Sequence, residues 1–254
     1  MQGSTVRVYL AGGVAVEAGD HLVTESHLPG RQGRLLFAVL AVEHRRAVPR
    51  EELAETLSDG DPPPSWDTAL RAVVSKLRTA LRESLGPKTI ESAFGCYQLQ
   101  LPAGAWIDLE AATDAIHLAE SLVRDGRTSE AGGWAGPAWA ISGRPFLPGE
   151  DGPWIDRQRE LLRDVRIRSL CCLAEISTTD GEPRLAVRDA AEAVQLDPFG
   201  ERAYRLLMRA HAAAGDRAAA IKTYERCREL LAEELGLDPS SETEAVYLEI
   251  LRHG

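Results

Sequence analysis

One stretch of the chain concentrates basic and short polar side chains at helical spacing. Between residues 66 and 88 there are five basic side chains and two acidic ones. Apolar residues recur in it at spacings of four, three and four and predict one buried helix face: Leu70, Val74, Leu77 and Leu81. The other faces carry side chains that can bind a polyanion: Thr68, Arg71, Ser75, Lys76, Arg78 and Arg82. A helix over residues 67–85 with this surface is typical of one that enters the major groove of DNA.

Side-chain chemistry predicts a role for each of these residues. Arginine and lysine can donate to O6 and N7 of guanine, so Arg71 and Lys76 are the predicted base-reading residues. The side chains at positions 68 and 75 are short enough to reach a base edge or a phosphate. Arg78 and Arg82 lie farther along the helix and are predicted to bind phosphates, with a solvated surface charge as the alternative.

The elements before this helix predict how it is held. Alternating apolar residues on either side of a Gly-Gly turn predict a small antiparallel sheet over about the first 25 residues. A helix is predicted from Arg31 onward, and a short second helix over residues 51–57. Residues 58–65 (SDGDPPPS) contain three consecutive prolines, so this segment cannot be helical.

Two predicted strands follow the basic helix and form a hairpin. They cover Thr89–Glu91 and Tyr97–Leu101, with a turn at Gly95. The order of sheet, helix, short helix, turn, basic helix and hairpin predicts an α+β winged helix-turn-helix of the OmpR type. The hairpin is then the wing beside the basic helix, and its candidate contact residues are Ser92, Gly95 and Tyr97.

The second half of the chain predicts an all-helical domain that repeats itself. At an offset of 34 residues, six apolar positions within residues 170–193 match apolar positions within residues 204–227. This period is that of the tetratricopeptide repeat, in which small residues let two antiparallel helices pack closely. Two more helices are predicted near residues 108–124 and 127–140. The predicted domains are therefore a winged helix over residues 1–104 and a tetratricopeptide-like helical domain over residues 105–254.

Composition and charge exclude several classes of protein. Apolar residues make up 44% and charged residues 27%, as in globular chains. No apolar run approaches the ~18 residues that span a bilayer, so we expect a cytoplasmic protein without membrane contact. The net charge of −10 opposes DNA binding, but residues 1–100 carry 11 basic and 12 acidic side chains, leaving 18 and 27 for the rest. The acidic second half is therefore assigned to protein contacts.

The sequence contains no motif of a metal site or an enzyme. The four cysteines form no CxxC pair, the six histidines are not at ligand spacing, and phosphate-binding glycine loops are absent. Buried free thiols are expected. Glu150 and Asp151 lie in a loop rich in proline and glycine and are interpreted as solvated charges. We expect no cofactor, no metal and no catalytic activity.

Segments in both halves resemble the Streptomyces antibiotic regulatory proteins. In the first half the similar segments are Arg34-Leu35-Leu36, Gly60-Asp61-Pro62-Pro63 and residues 69–81. In the second half, Pro153-Trp154 and residues 233–239 (EELGLDP) are similar to the family's bacterial transcriptional activation domain. The resemblance covers nearly the whole chain.

The resemblance implies a transcriptional activator that binds double-stranded DNA with direct repeats, upstream of biosynthetic genes, as a side-by-side homodimer. It also implies recruitment of RNA polymerase through its sigma, alpha or beta subunits. In related winged helices the loop at Pro62, Pro63 and Pro64 contacts polymerase, and a rigid spacer is the alternative for this segment. The alternative function is a protein-interaction scaffold with a degenerate winged helix.

Two segments depart from the family's pattern. The family usually has Asn and Gln where this chain has Thr68 and Arg71, so we expect a different base preference. The family's wing usually carries an arginine, whereas this wing reads SAFGCY over residues 92–97. The resemblance therefore leaves the minor-groove contact of this wing undetermined.

Overall fold

The computed structural model describes residues 6–58 and 60–252, which divide into two compact units. One unit extends to Ala111 and also includes Arg144–Leu162. The other contains Ala112–Gly143 and the chain from Arg163 onward. The predicted division between residues 104 and 105 does not coincide with these units, because the segment 144–162 groups with the N-terminal residues. That division stays a prediction.

The first unit begins with short strands and continues with helices and a hairpin. Among the described residues its elements in chain order are β1 (Val6–Tyr9), β2 (Ala15–Ala18), β3 (His21–Thr24), α1 (Gly30–Val42), β4 (Val48–Pro49), α2 (Arg50–Leu57), α3 (Trp66–Leu85), β5 (Ile90–Ala93), β6 (Cys96–Leu99) and β7 (Trp106–Ile107).

These strands form two sheets. One sheet has the order β3-β2-β1-β7, in which β1 is antiparallel to β2 and parallel to β7. The other has the order β4-β6-β5 and is antiparallel. The alternation of Val6, Val8 and Leu10 is confirmed, since all three side chains are buried. Strands β4 and β7 have two residues each, too few for their periodicity to predict them.

Helix α3 begins one residue before the predicted start and ends at the predicted residue. The predicted apolar face is confirmed: Leu70, Val74, Leu77 and Leu81 are each at most 3% exposed. They pack in one core with the central residues of α1, including Leu36 and Phe37. Burial of leucine or phenylalanine side chains contributes about 1.5–3 kcal/mol each, so this core fixes which face of α3 points outward.

The segment 144–162 belongs to the core of the first unit. Phe146 and Leu147 are buried there, and Gly12 donates its backbone N–H to the carbonyl of Pro145 at 2.8 Å. Glu150 is 1% exposed and accepts hydrogen bonds from Arg31 and Arg34 of α1. The interpretation of Glu150 as a solvated charge was wrong, because the sequence alone does not bring these arginines beside it.

Asp108, at the start of the next helix, connects backbone segments that are distant in the sequence. Its Oδ2 accepts the N–H groups of Leu10 and Ala11 at 2.9 Å each, and Oδ1 accepts that of Leu109. Burial raises the pKa of Asp108, and these three backbone donors oppose the rise. The carboxylate thus joins the end of β1 to the start of the helical region.

The remaining elements are helices arranged as tetratricopeptide-like pairs. They are α4 (Asp108–Arg124), α5 (Thr128–Ser142), α6 (Pro153–Thr179), α7 (Pro183–Leu196), α8 (Glu201–Ala213), α9 (Arg217–Leu235) and α10 (Ser241–Arg252). The predicted repeat is confirmed in its packing: small Ala190 and Ala193 and large Tyr204 share one buried cluster in the second unit. None of the described helices is long and apolar enough to cross a membrane.

Candidate nucleic-acid interface

The outward surface of α3 combines short side chains with long basic ones. Small Ala69 and Ala72 are exposed near the start of the helix. Of the predicted site residues on α3, the exposed ones are Thr68, Arg71, Ser75, Lys76 and Arg82. Short side chains allow a helix backbone to approach a groove closely, and the long basic ones can reach base edges or phosphates from there.

The basic residues lie on two flanks of this surface. At 3.6 residues per turn, Arg71 and Lys76 are about 140° apart around the helix axis. Arg71, Arg78 and Arg82 follow one flank, whereas Lys76 lies on the other with Thr68 and Ser75 between them. Within the described part of the chain neither Lys76 nor Arg82 makes an ion pair, so both charges face solvent. The two predicted base-reading residues could therefore reach different base pairs.

Arg71 shares a carboxylate with a second arginine that the sequence did not indicate. Nη2 of Arg71 lies 2.7 Å from Oδ2 of Asp67, one helical turn earlier, and Nη1 of Arg50 lies 3.5 Å from Oδ1. Arg71 is 61% exposed at its side chain and Arg50 27%. Two guanidinium groups on one carboxylate leave a net positive charge at the start of α3.

Arg50 was missed because its position depends on a strand pair. It begins α2 directly after β4, whose Pro49 pairs with Cys96 of the hairpin. The N–H of Arg50 donates to the carbonyl of Gly95 at 3.1 Å. This pairing holds Arg50 beside the wing, and the one sequence signal of Arg50 is a basic residue at the start of a helix.

Arg78 holds the hairpin to α3. Its Nε and Nη2 donate to the carbonyl oxygen of Ile90 at 3.0 and 2.8 Å. Its guanidinium also lies 5.9 Å from the ring centre of Tyr97, and that of Arg50 lies 5.6 Å from the same ring. Two of its donors are thus engaged within the protein, and phosphate binding by Arg78 stays a prediction for Nη1.

The structure places the three wing residues differently. Ser92 and Gly95 are exposed on the hairpin, as expected for contact residues. Tyr97 is only 4% exposed, because its pairing with Val48 of β4 turns the ring toward the core. The expectation that Tyr97 forms part of the wing surface is therefore corrected: it supports the wing from inside.

Residues 60–65 of the proline loop between α2 and α3 are not helical, as predicted. Pro63 and Pro64 are exposed and Pro62 is half-buried. The N–H of Trp66 donates to the carbonyl of Pro63 at 2.9 Å, and the half-buried Trp66 packs against the core at the first residue of α3. The loop thus presents two prolines to solvent on a fixed base.

The thiols and carboxylates give no sign of metal or nucleophile chemistry in the described residues. No group of three or more histidine, cysteine, aspartate or glutamate side chains could hold a metal ion within residues 6–58 and 60–252. Cys171, Cys172 and Cys227 are buried free thiols, as expected, and Cys96 is half-buried. Burial raises the pKa of Cys171 to about 11 and that of Cys172 to about 12, which keeps both protonated and unreactive at neutral pH.

Comparison with known families gives one match over most of the helical region. The model of the bacterial transcriptional activator domain matches residues 107–251. The regulatory protein AfsR of Streptomyces coelicolor is 30% identical over 234 residues, which cover 92% of this chain and 23% of AfsR. This chain therefore spans about a quarter of that relative.

Two further proteins are similar over nearly the whole chain. The transcriptional regulator RedD of Streptomyces coelicolor is 26% identical over 98% of this chain and 71% of RedD. The structure of Mycobacterium tuberculosis EmbR in complex with a low-affinity phosphopeptide superposes with a TM-score of 0.85. It covers 98% of this chain and 65% of the EmbR chain at 21% identity, so the two share the fold.

Proposed function

The chain belongs to the bacterial transcriptional activator domain family, among regulators of the Streptomyces antibiotic regulatory protein type, and on this premise we propose that it activates transcription by binding specific DNA sequences through α3. The observation that carries this proposal is the exposed surface of α3. Basic side chains flank small ones there, and only Asp67 and Glu83 oppose them on the helix.

The first unit supports a winged helix-turn-helix interpretation. Helices α2 and α3 are joined by the proline loop, α3 packs on α1 through its buried face, and the β5–β6 hairpin is fixed to α3 through Arg78. In such a motif α3 is the recognition helix, which lies in the major groove. Arg71 and Lys76 then read bases, and Arg82 and Arg50 bind phosphates.

The acidic charge of the rest of the chain supports protein contacts there. Residues 101–254 carry 18 basic and 27 acidic side chains, which opposes binding of this half to DNA. We assign to it contacts with RNA polymerase and with a second protomer on DNA, and to the exposed Pro63 and Pro64 a polymerase contact. In this proposal the protein binds direct repeats upstream of biosynthetic genes as a homodimer.

Selection from randomised duplex DNA tests the proposal. The full-length protein is incubated with the library at about physiological salt, where non-specific binding is weak, and the retained duplexes are sequenced. We expect a short motif repeated directly at about one helical turn, 10–10.5 base pairs. If no motif is enriched and the affinity falls with salt equally for all sequences, the protein is not a specific reader and a scaffold function replaces the proposal.

A further inference from the structure

The turn of the wing carries an aromatic side chain that does not pack into the core of the protein. Phe94 is fully exposed, with a relative accessibility of 104%. With Gly95 it forms the two-residue turn between β5 and β6, and both residues have positive φ, 50° and 77°. Such a turn favours Asn-Gly or Gly-Gly, and a bulky residue at positive φ is strained. The fold therefore gains nothing from a phenylalanine at this position.

The turn is held in place from three directions. Ala93 pairs with Cys96 across the hairpin, and Pro49 of β4 pairs with Cys96 from the other side. The N–H of Arg50 donates to the carbonyl of Gly95 at 3.1 Å. The exposed ring of Phe94 is thus presented from a fixed backbone beside the cationic start of α3.

The wing has no cation with which to read DNA. From Thr89 to Gln100 there is no lysine, arginine or histidine, and the one charged residue is Glu91. Contact of this hairpin with a groove therefore cannot depend on a long basic side chain. Apolar side chains, phenylalanine among them, act in another way: they wedge between base steps from the minor groove and partly unstack them.

We propose that Phe94 is an apolar wedge that enters the minor groove beside the major groove occupied by α3 and partly unstacks one base step. This inference rests on the proposed function, because it requires α3 in the groove. The wedge adds affinity by burying the ring, and it adds specificity because flexible pyrimidine–purine steps unstack most easily. Phe94 thus contributes preference for a base step outside the bases that α3 contacts.

Three variants of the full-length protein test the wedge on a duplex enriched by the selection. Phe94→Gly removes the ring and relieves the positive φ, so its melting temperature should equal or exceed that of the wild type. We expect it to bind about tenfold more weakly, or ~1.4 kcal/mol. Phe94→Leu keeps an apolar wedge and should lose less. Leu22→Ser removes another exposed apolar side chain of the same unit, 59% exposed, and should bind as the wild type does.

Two readouts separate a wedge from other roles. Removal of an uncharged ring should leave the salt dependence of binding unchanged, whereas removal of a phosphate contact lowers its slope. A 2-aminopurine scanned through the steps flanking the motif should fluoresce more at one step when the wild type binds, and not with Phe94→Gly. Equal affinity of Phe94→Gly and wild type, or no fluorescence change at any step, would overturn the wedge while leaving specific binding intact. Absence of specific binding by the wild type would instead overturn the proposed function together with the wedge.

Discussion

At the scale of single residues, the proposed interface contains a carboxylate that opposes its function. Asp67 lies in the first turn of α3, where a negative charge stabilises the helix dipole, and it holds both Arg71 and Arg50. When a phosphate approaches, this carboxylate repels it and competes for the guanidinium groups. Asp67 thus orders the two arginines in the free protein, and it weakens the binding of DNA.

Replacement of this carboxylate should strengthen DNA binding. We expect Asp67→Asn to raise the affinity for duplex DNA about three- to tenfold at low salt, with a smaller gain as the ionic strength rises. The salt dependence should steepen by about one phosphate contact, because Arg50 is released from Asp67 and can bind a phosphate. Fluorescence anisotropy titrations at several salt concentrations measure both. Asp20→Asn removes an exposed charge from the turn between β2 and β3 and serves as the control; an unchanged or lower affinity of Asp67→Asn would contradict this account.

The buried carboxylate of Glu150 leads to a second prediction, which concerns the dependence of stability on pH. Burial alone would raise the pKa of Glu150, but hydrogen bonds from Arg31 and Arg34 outweigh it and the pKa is lowered. A lowered pKa means that the carboxylate stabilises the folded state above its unfolded pKa of about 4.5, and that this stabilisation is lost as the pH falls through the folded value. Acid should therefore weaken the first unit.

The variant Glu150→Gln should isolate this contribution. At pH 7 we expect a loss of about 2 kcal/mol in the free energy of unfolding, because hydrogen bonds to a charged group are lost. Below pH 4.5 the stability of the variant should depend less steeply on pH than that of the wild type. Urea denaturation across pH 3–7 measures this difference. The neighbouring Asp151→Asn, whose side chain is 95% exposed, should follow the wild type at every pH, and identical curves for Glu150→Gln would refute the account.

At the scale of elements, α3 and the hairpin form one unit through Arg78. The guanidinium bonds twice to the carbonyl of Ile90 and stacks near Tyr97. A lysine would keep the charge but not the forked geometry. The role of Arg78 in positioning the wing can therefore be separated from its charge.

We expect Arg78→Lys to lower the free energy of unfolding by about 1–2 kcal/mol, since one buried carbonyl loses its two donors. The slope of DNA affinity against salt should stay that of the wild type, because the charge is retained. Thermal denaturation and salt titrations measure the two effects. A variant with wild-type stability would contradict the role of Arg78 in positioning the wing.

The elements also show how far the sequence predicts this structure. The apolar stripe of α3 and the alternation of Val6 and Val8 are periodic, so periodicity alone identified those elements and their buried faces. The site could not be predicted in this way, since a two-residue strand holds Arg50 beside the wing, and Tyr97 turns inward because that strand pairs with it. The burial of Glu150 depends on contacts more than 100 residues away in sequence, which no local pattern encodes.

At the scale of the whole molecule, the first unit is formed by two separate segments of the chain, and the second of them, Arg144–Leu162, follows α4 and α5 in the sequence. Phe146 is 2% exposed within the same core as Val8 and Leu36, although α4 and α5 lie before it in the sequence. A division of the chain at residue 104 would instead place Phe146 with the helical domain. The two assignments make different predictions about which backbone loses protection when this side chain is removed.

Phe146→Ala should cost about 3–5 kcal/mol, as expected for a large buried side chain. Hydrogen exchange measured by mass spectrometry should show faster exchange in β1, β2 and α1, and little change in α8 and α9. Leu170→Ala, which removes a fully buried side chain of the second unit, should produce the opposite pattern. If Phe146→Ala instead speeds exchange only in helices after residue 104, the division at residue 104 would be supported.

The central claim is that the outward surface of α3 reads DNA sequence, and the most direct test compares the motifs selected by the wild type and by Lys76→Ala. Lys76 is exposed, lies opposite the Arg71 flank and supports no other element, so its removal should leave the fold unchanged. We expect the wild type to enrich a directly repeated motif and Lys76→Ala to enrich the same motif without preference at one base pair of each repeat, a loss of about 1–3 kcal/mol there. Identical motifs for both proteins, or no motif for the wild type, would contradict the assignment of α3 as the recognition helix.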